Sequence, residues 1–251
     1  MVSKPKIKLI KSLEKRKYRL EHGLFVAEGP KLVGELIQHQ KPTYIAAVQE
    51  WINDNRHLIY EGTQVEMVTQ EELERISLQR APQHVLALFP IIEHEFDVDL
   101  PSKELCIALD GVQDPGNLGT ITRIADWFGI QHIFCSPHTA DIYNPKAVQA
   151  TMGALARVQL HYCNLEEILS RKGVIAYGTF LDGENIYAQE LENKGVIVMG
   201  NEGNGISEQI AKLVNKKLLI PNYPIGRETT ESLNVAIATS IVCAEFRRRH
   251  Q

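Results

Sequence analysis

The chain has 251 residues, enough for two modest domains or one large one. Hydrophobic residues make up 44% and charged residues 23%, and no apolar run approaches the roughly 20 residues a bilayer span needs, so a water-soluble globular protein is expected. The formal net charge of −4 argues against indiscriminate nucleic-acid binding.

The N-terminal stretch MVSKPKIKLIKSLEKRKY is charged and has no apolar core behind it. It is not a secretory signal, and a cytoplasmic location is expected. The charge is unevenly placed. Lys4, Lys6, Lys8, Lys11, Lys15, Arg16, Lys17 and Arg19 crowd the start against Glu14 alone, and the C-terminal end reads RRRH. Local basic patches on an acidic chain can guide a polyanion to one face, although a merely solvated helix face would look the same. Residues 4–40 read as a helix, a short strand (LFVAEG) and a second helix (PKLVGELIQH) with Pro30 in its first turn. Strand-like pieces around YIAAV and QVEMV, a helix at QEELERIS and a strand at HVLALFP complete a small α/β domain. The acidic, proline-bearing stretch IIEHEFDVDLPSKE reads as a linker, which puts the boundary near residue 97.

From residue 105 the alternation is clearer. LCIALD, HIFCS, VQLHY, VIAYGTFL, VIVMG and KLLIP read as strands. NLGTITRIADWFG, NPKAVQATMGALA, LEEILSRK, SEQIAKLV and SLNVAIATSIVCAEFRRR read as helices. Continuous apolar strands alternating with helices imply a mostly parallel sheet covered on both faces. The cysteines, Cys106, Cys135, Cys163 and Cys243, lie far apart without C-x-x-C spacing, which favours buried free thiols over a zinc site or disulfides. The final helix lacks a polar stripe over most of its length, which suits a core element or a subunit interface.

Ligands of parallel α/β sheets bind at the carboxyl ends of the strands. Three strand-to-helix loops there are rich in Gly, Pro, Asn and Ser: DGVQDPGNLGT, NEGNGIS and NYPIGRETTESLN. The first holds no G-x-G-x-x-G, and the second lacks the G-K-[ST] of a triphosphate loop. Asn117, Ser207 and Ser232 suit helix capping. Arg123 lies six residues after Asn117 in apolar surroundings (TITRIADWF). A buried salt bridge and a phosphate contact are both open to it. Gly200, Gly203 and Gly205, with Asn201, suit close backbone approach to a ligand.

Together these loops carry a recognisable set. NLGTITRIADWFGI, VIVMGNEGNGIS and IPNYPIGRETTESLNVAIA, in that order, resemble the three motifs of the SpoU (TrmH) family of RNA ribose 2′-O-methyltransferases, in the SPOUT superfamily. NPKAVQATMGALARV resembles the segment between the first two. KSLEKRKYRLEHGLFVAEGPKLVGELI resembles the ribosomal-protein-L30e-like substrate-binding domain that many members carry. One departure is visible: the loop between Pro221 and Ser232 is longer than in short-loop members.

The resemblance implies a trefoil-knotted methyltransferase domain over residues 98–251, behind an RNA-binding domain over 1–97. It implies S-adenosylmethionine as methyl donor, with no metal, held near Thr179, Gly200, Asn201, Gly203, Ile220 and Leu233. Arg123 would be the catalytic group, oriented with the ribose by Asn117, Glu202, Ser232 and Asn234. Lys11, Arg16, Lys17, Arg19 and Arg123 would contact RNA, more readily ribosomal than transfer RNA, and the closing helix would meet a second copy in a homodimer. A non-catalytic RNA-binding or ribosome-assembly protein, or a knotted base methyltransferase, are the alternatives. The first would not need Arg123 and the Ser-Leu-Asn turn together.

Overall fold

The computed structural model describes residues 2–224, 227–228 and 232–250. Residues 225–226 and 229–231, within the long loop noted above, lie outside the described part. In chain order the elements are α1 (Lys4–Ser12), α2 (Arg16–His22), β1 (Leu24–Glu28), α3 (Pro30–Ile37), β2 (Tyr44–Ala47), α4 (Gln49–Asp54), β3 (Gln64–Met67), α5 (Gln70–Ile76), β4 (Val85–Pro90), β5 (Leu105–Asp110), α6 (Pro115–Trp127), β6 (His132–Cys135), α7 (Pro145–Thr151), β7 (Gln159–Tyr162), α8 (Leu165–Leu169), β8 (Ala176–Asn185), β9 (Gly195–Gly200), α9 (Glu208–Ala211), β10 (Lys216–Leu219) and α10 (Val235–Arg248). They form two compact units. Met1–Glu93 joins Asp141–Ala156 in the first, and His94–Ala140 joins Arg157–Gln251 in the second.

The first unit is built on a four-stranded sheet in the order β1-β4-β2-β3. Its inner strands are buried on both faces, which is why YIAA and VLALF read as unbroken apolar runs. One face packs Phe25, Leu36, Ile45, Trp51 and Phe89; the other packs Ile10, Leu13, Tyr44, Leu73 and Leu88. Local chemistry sets the helix ends. Ser3 caps α1, and Thr69 and Glu72 form a reciprocal capping box on α5.

Segment 141–156 packs with this first unit, although the sequence places it within the second half. Val148 of α7 joins the Phe25 cluster, and the Tyr143 ring sits 4.9 Å from that of Phe25. Arg19 holds the start of the segment. Its Nη2 lies 2.6 Å from Asp141 Oδ2, and its Nη1 donates to the carbonyls of Leu13 at 2.8 Å and Glu14 at 2.7 Å. With 2% exposure, Arg19 is a structural ion pair and not the RNA contact expected from sequence. Lys11 donates its ammonium to the Ser77 carbonyl, while Arg16 and Lys17 are exposed.

The second unit holds a six-stranded parallel sheet in the order β10-β8-β9-β5-β6-β7. Cys106, Phe134, Ile168, Val196 and Ile210 pack in one core cluster of this unit, and α10 packs on α6. Cys106, Cys135 and Cys243 are buried thiols and Cys163 is half-buried, all four free. The terminal arginines are not a loose basic patch. Arg247 donates to the Phe128 and Gly129 carbonyls at the end of α6, at 2.7 and 3.0 Å. Arg249 donates to Ile186 and Tyr187 carbonyls at 3.0 and 2.8 Å, and to Glu245 at 2.7 Å.

At the β6–β7 edge, His132 Nδ1 and His161 Nε2 lie 3.0 Å apart, with the Phe96 ring 4.6 Å from His161. Burial, with the neighbouring His132, pushes His161 down from 6.5 to about 4.

Two outcomes are expected. Asp141→Ala leaves a buried guanidinium unpaired and should destabilise the protein by about 3 kcal/mol in urea unfolding. His161 stays neutral in the fold but takes a proton in the unfolded chain, so stability is full above pH 6.5 and falls toward pH 4. The loss should be roughly 3 kcal/mol, and His161→Phe should flatten that slope in pH-dependent unfolding.

Candidate active site

Three loops meet at the carboxyl ends of β5, β9 and β10. The first turn of α6 is set by Asp114, whose side chain accepts from the Asn117 amide at 2.9 Å, with Pro115 at the first helical position. Asp114 is thus the cap, where the sequence suggested Asn117. The Asn117 side chain is left to reach across the loops. Its Nδ2 donates to Glu202 Oε1 at 3.0 Å, and its Oδ1 accepts from Asn234 Nδ2 at 3.1 Å. Asn234 also caps α10, accepting from the Ala236 and Ile237 amides, so the cap falls two residues past Ser232.

Glu202 is the hub. Its carboxylate accepts from the backbone amides of Gln113 and Asp114 at 3.2 and 3.3 Å, besides Asn117. Burial acts to raise its pKa. The Asn117 bond and the backbone donors together outweigh it and hold the carboxyl below its ordinary range. Glu202 is therefore a carboxylate at neutral pH.

The loop after β9 folds back on itself. Asn201 and Gly205 exchange backbone bonds at 2.9 and 3.0 Å. Asn201 Oδ1 accepts from the Gly203 and Asn204 amides, and its Nδ2 donates to the Gly111 carbonyl at 2.7 Å. Its side chain therefore ties two loops together. The Ser207 amide donates to Asp110 Oδ2 at 2.8 Å, and the Ser207 side chain makes no capping bond. Gly200 has no room for a side chain: a Cβ there would sit 2.2 Å from the Gly205 carbon and the Ile206 nitrogen.

Beside this junction lies a cavity of about 540 Å³, a size suited to a cofactor. Thr179, Gly200, Asn201, Gly203, Ile220 and Leu233, the six positions expected near a methyl donor, all line it, as do Glu202 and Ser232. Asn117, Asn234 and Arg123 are not part of its wall. Arg123 is exposed and makes no side-chain hydrogen bond or ion pair among the described residues, so a buried salt bridge is excluded.

Sequence reasoning missed Phe180 and Leu181, which also line the cavity. Their cause is an excursion in β8. Gly178 pairs with Lys217 and Glu184 with the next residue, Leu218, so residues 179–183 swing out of register. The apolar pair directly after Thr179 was the available signal. The lining mixes small and polar residues of the loop after β9 with Met199, Leu218, Leu219 and Val235. That composition suits a nucleoside with an aliphatic tail, and the Glu202 carboxylate complements a sulfonium cation. Among the described residues, no group of three or more His, Cys, Asp or Glu is placed to hold a metal ion.

The SpoU rRNA Methylase family model matches residues 104–244, more than half of the chain. The chain belongs to the SpoU family. The MRM3-like substrate binding domain model matches residues 4–87. A curated relative, the 23S rRNA (guanosine(2553)-2′-O)-methyltransferase RlmP of Bacillus subtilis (strain 168), is 28% identical over 96% of both chains. A solved TrmH-family structure from Porphyromonas gingivalis is 41% identical, with TM-score 0.88 and 99% of each chain covered. An AdoMet-bound rRNA methyltransferase structure from Sinorhizobium meliloti is 30% identical, with TM-score 0.85, covering 100% of this chain and 97% of that one. The SpoU motif loops are thus the three loops that converge here.

The Gly200 contact is testable. Gly200→Ala forces the backbone of the loop after β9 away and should weaken S-adenosylmethionine binding at least tenfold in calorimetry, with the protein still folded by circular dichroism.

Proposed function

We propose that the protein transfers a methyl group from S-adenosylmethionine to a ribose 2′-hydroxyl of a structured RNA, ribosomal rather than transfer RNA. The Glu202–Asn117–Asn234 chain at the edge of the cavity carries this reading. It joins all three motif loops beside a space of the right size and lining. Family membership and relatives named for 23S rRNA ribose methylation support it.

The donor, when bound, supplies an already activated methyl group, so the chain's task is placement and proton management. Thr179, Gly200, Asn201, Gly203, Ile220 and Leu233 hold the donor. Ser232 and the Asn117–Asn234 pair orient the ribose. Arg123 is a poor base, because a guanidinium hardly deprotonates in proteins. Its exposed, unpaired charge suits a target phosphate and the alkoxide that develops as the 2′-hydroxyl loses its proton. Glu202 keeps Asn117 in place.

RNA selection is assigned to residues 1–97 and methyl transfer to 98–251, with a SPOUT-type trefoil knot in the latter. Arg16 and Lys17, and Lys11 once it leaves Ser77, provide phosphate contacts. A homodimer through α10 belongs to the same reading. Leu233 and Ile237 at the start of α10 are 50% and 55% exposed, and Trp127 on the packed neighbour α6 is 83% exposed. No helix among the described residues is long and apolar enough to cross a membrane, and a cytoplasmic location fits an enzyme acting on ribosomal RNA.

Methyl transfer from labelled S-adenosylmethionine to separate pools of unmodified ribosomal and transfer RNA, digested to nucleosides, tests the reading. A labelled 2′-O-methyl nucleoside from the ribosomal pool is expected. Label on a base, or on transfer RNA alone, would overturn it. Arg123→Ala should lower turnover by about a hundredfold or more, with donor affinity unchanged. Turnover near the wild-type level would remove Arg123 from its assigned role.

A further inference from the structure

The excursion in β8 is closely fitted at both ends. Lys217 of β10 pairs with Gly178, and the next residue, Leu218, pairs with Glu184. Pairing of β8 with β9 ends at Gly178 as well, so residues 179–183 have no partner in either neighbouring strand. The glycines at the two ends permit close approach. A Cβ on Gly178 would come within 2.6 Å of the Phe180 ring, and one on Gly183 within 2.7 Å of the Leu218 carbonyl carbon. The chain leaves the sheet with Phe180 folded back over Gly178 and returns flush against the β10 backbone.

One side chain spans this arch. The Lys217 ammonium lies 2.8 Å from Asp182 Oδ2 and 4.8 Å from the centre of the Phe180 ring. It therefore holds one residue on either side of Leu181. Leu181 lines the cavity and is nevertheless 77% exposed, which puts it at the cavity mouth. Lys217 itself is not part of the cavity wall. An exposed ion pair and an exposed cation–π contact each add little to the stability of a fold. Their effect is larger on a short segment that lacks ladder hydrogen bonds, because they restrict freedom that ligand binding would otherwise have to remove.

We propose that residues 179–183 form a strap over the methyl donor, in which Leu181 packs on bound S-adenosylmethionine and Lys217 is the positioning residue that holds the strap in place. The proposal rests on the donor-binding reading of the cavity and adds what governs how long the donor stays. Covering an apolar side chain at the mouth stabilises the complex through the water it releases. Fixing the strap in advance acts mainly on the dissociation rate.

The test uses the full-length protein and labelled S-adenosylmethionine, without RNA. The donor Kd is measured by calorimetry and the dissociation rate by a chase with unlabelled donor, alongside the melting temperature and the sedimentation coefficient. Lys217→Met keeps the aliphatic stem and removes the charge. It should speed dissociation and raise the Kd roughly fivefold, with melting and sedimentation unchanged. Lys217→Arg keeps a cation for Asp182 and Phe180 and should restore the donor Kd to about the wild-type value. Leu181→Ala should weaken binding about tenfold. Adding Lys217→Met to it should change the Kd little further, because the lysine acts through the strap. Equal donor Kd for wild type and Lys217→Met would overturn the proposal. So would an equal loss in Lys217→Arg, or losses that multiply in the double variant. A changed sedimentation coefficient would also overturn it, by assigning the strap to a contact between subunits. Failure of the wild type to methylate ribosomal RNA, with these binding differences present, would count against the parent reading alone.

Discussion

The second unit's chemistry depends on one carboxylate. Glu202 lies in the loop after β9, yet its oxygens accept hydrogen bonds from the backbone of the loop after β5 and from Asn117, which in turn holds Asn234 at the head of α10. No one of these loops is rigid by composition, since each is made of Gly, Pro and polar residues. This shared acceptor links all three, and the Asn201–Gly111 and Ser207–Asp110 bonds add to the tie between the first two. An acceptor serving several donors is also a constraint on its own charge: protonation would remove lone pairs that the backbone amides need. The hydrogen bonds therefore keep it ionised, and its ionisation keeps the loops in place.

Glycine and asparagine divide the remaining work by size. At Gly200 the strand must end with the following loop folded over it, and the absence of a side chain is a steric requirement. At Asn201 the side chain is short enough to accept from two amides of its own loop while donating to Gly111 in the neighbouring one. The result is a cavity whose wall includes the glycine- and asparagine-bearing loop Gly200–Gly205 beside aliphatic and aromatic residues.

Much of this was legible in the sequence. The alternation from residue 105 onward specified a parallel sheet, and the three loops at strand ends marked the site, because unusual composition at those points has few structural uses. The six residues expected around a donor line one cavity. What escaped was tertiary. Arg19 sits in a run of surface cations and resembles them in every local respect; its ion partner, Asp141, is distant in sequence and adds to the Leu13 and Glu14 carbonyls that hold the buried guanidinium. Segment 141–156 has an ordinary helical pattern, and no periodicity says which unit its apolar side will join. Asn117 and Ser232 both suit a cap, but Asp114 and Asn234 take those positions. A capping residue can be recognised by type, while the choice between two candidates three or two residues apart depends on where the chain enters the helix. The out-of-register stretch of β8 is likewise set by pairing with β10, a strand far along the chain.

The order of the lining residues has a consequence for how the protein is made. Thr179 lies in β8 and Gly200 ends β9, strands that can pair early, but Ile220 follows the last strand, Ser232 and Leu233 belong to the last loop and Val235 opens the last helix. Chains emerge from the ribosome N-terminus first, and domains fold as units in that direction. The first unit needs β1 to β4 and segment 141–156, all of which precede β8, so it can fold while the methyl-donor cavity still lacks a wall. A nascent chain can thus have a folded N-terminal sheet well before its donor cavity is complete, and donor binding becomes available only once β10 and α10 have left the tunnel and packed.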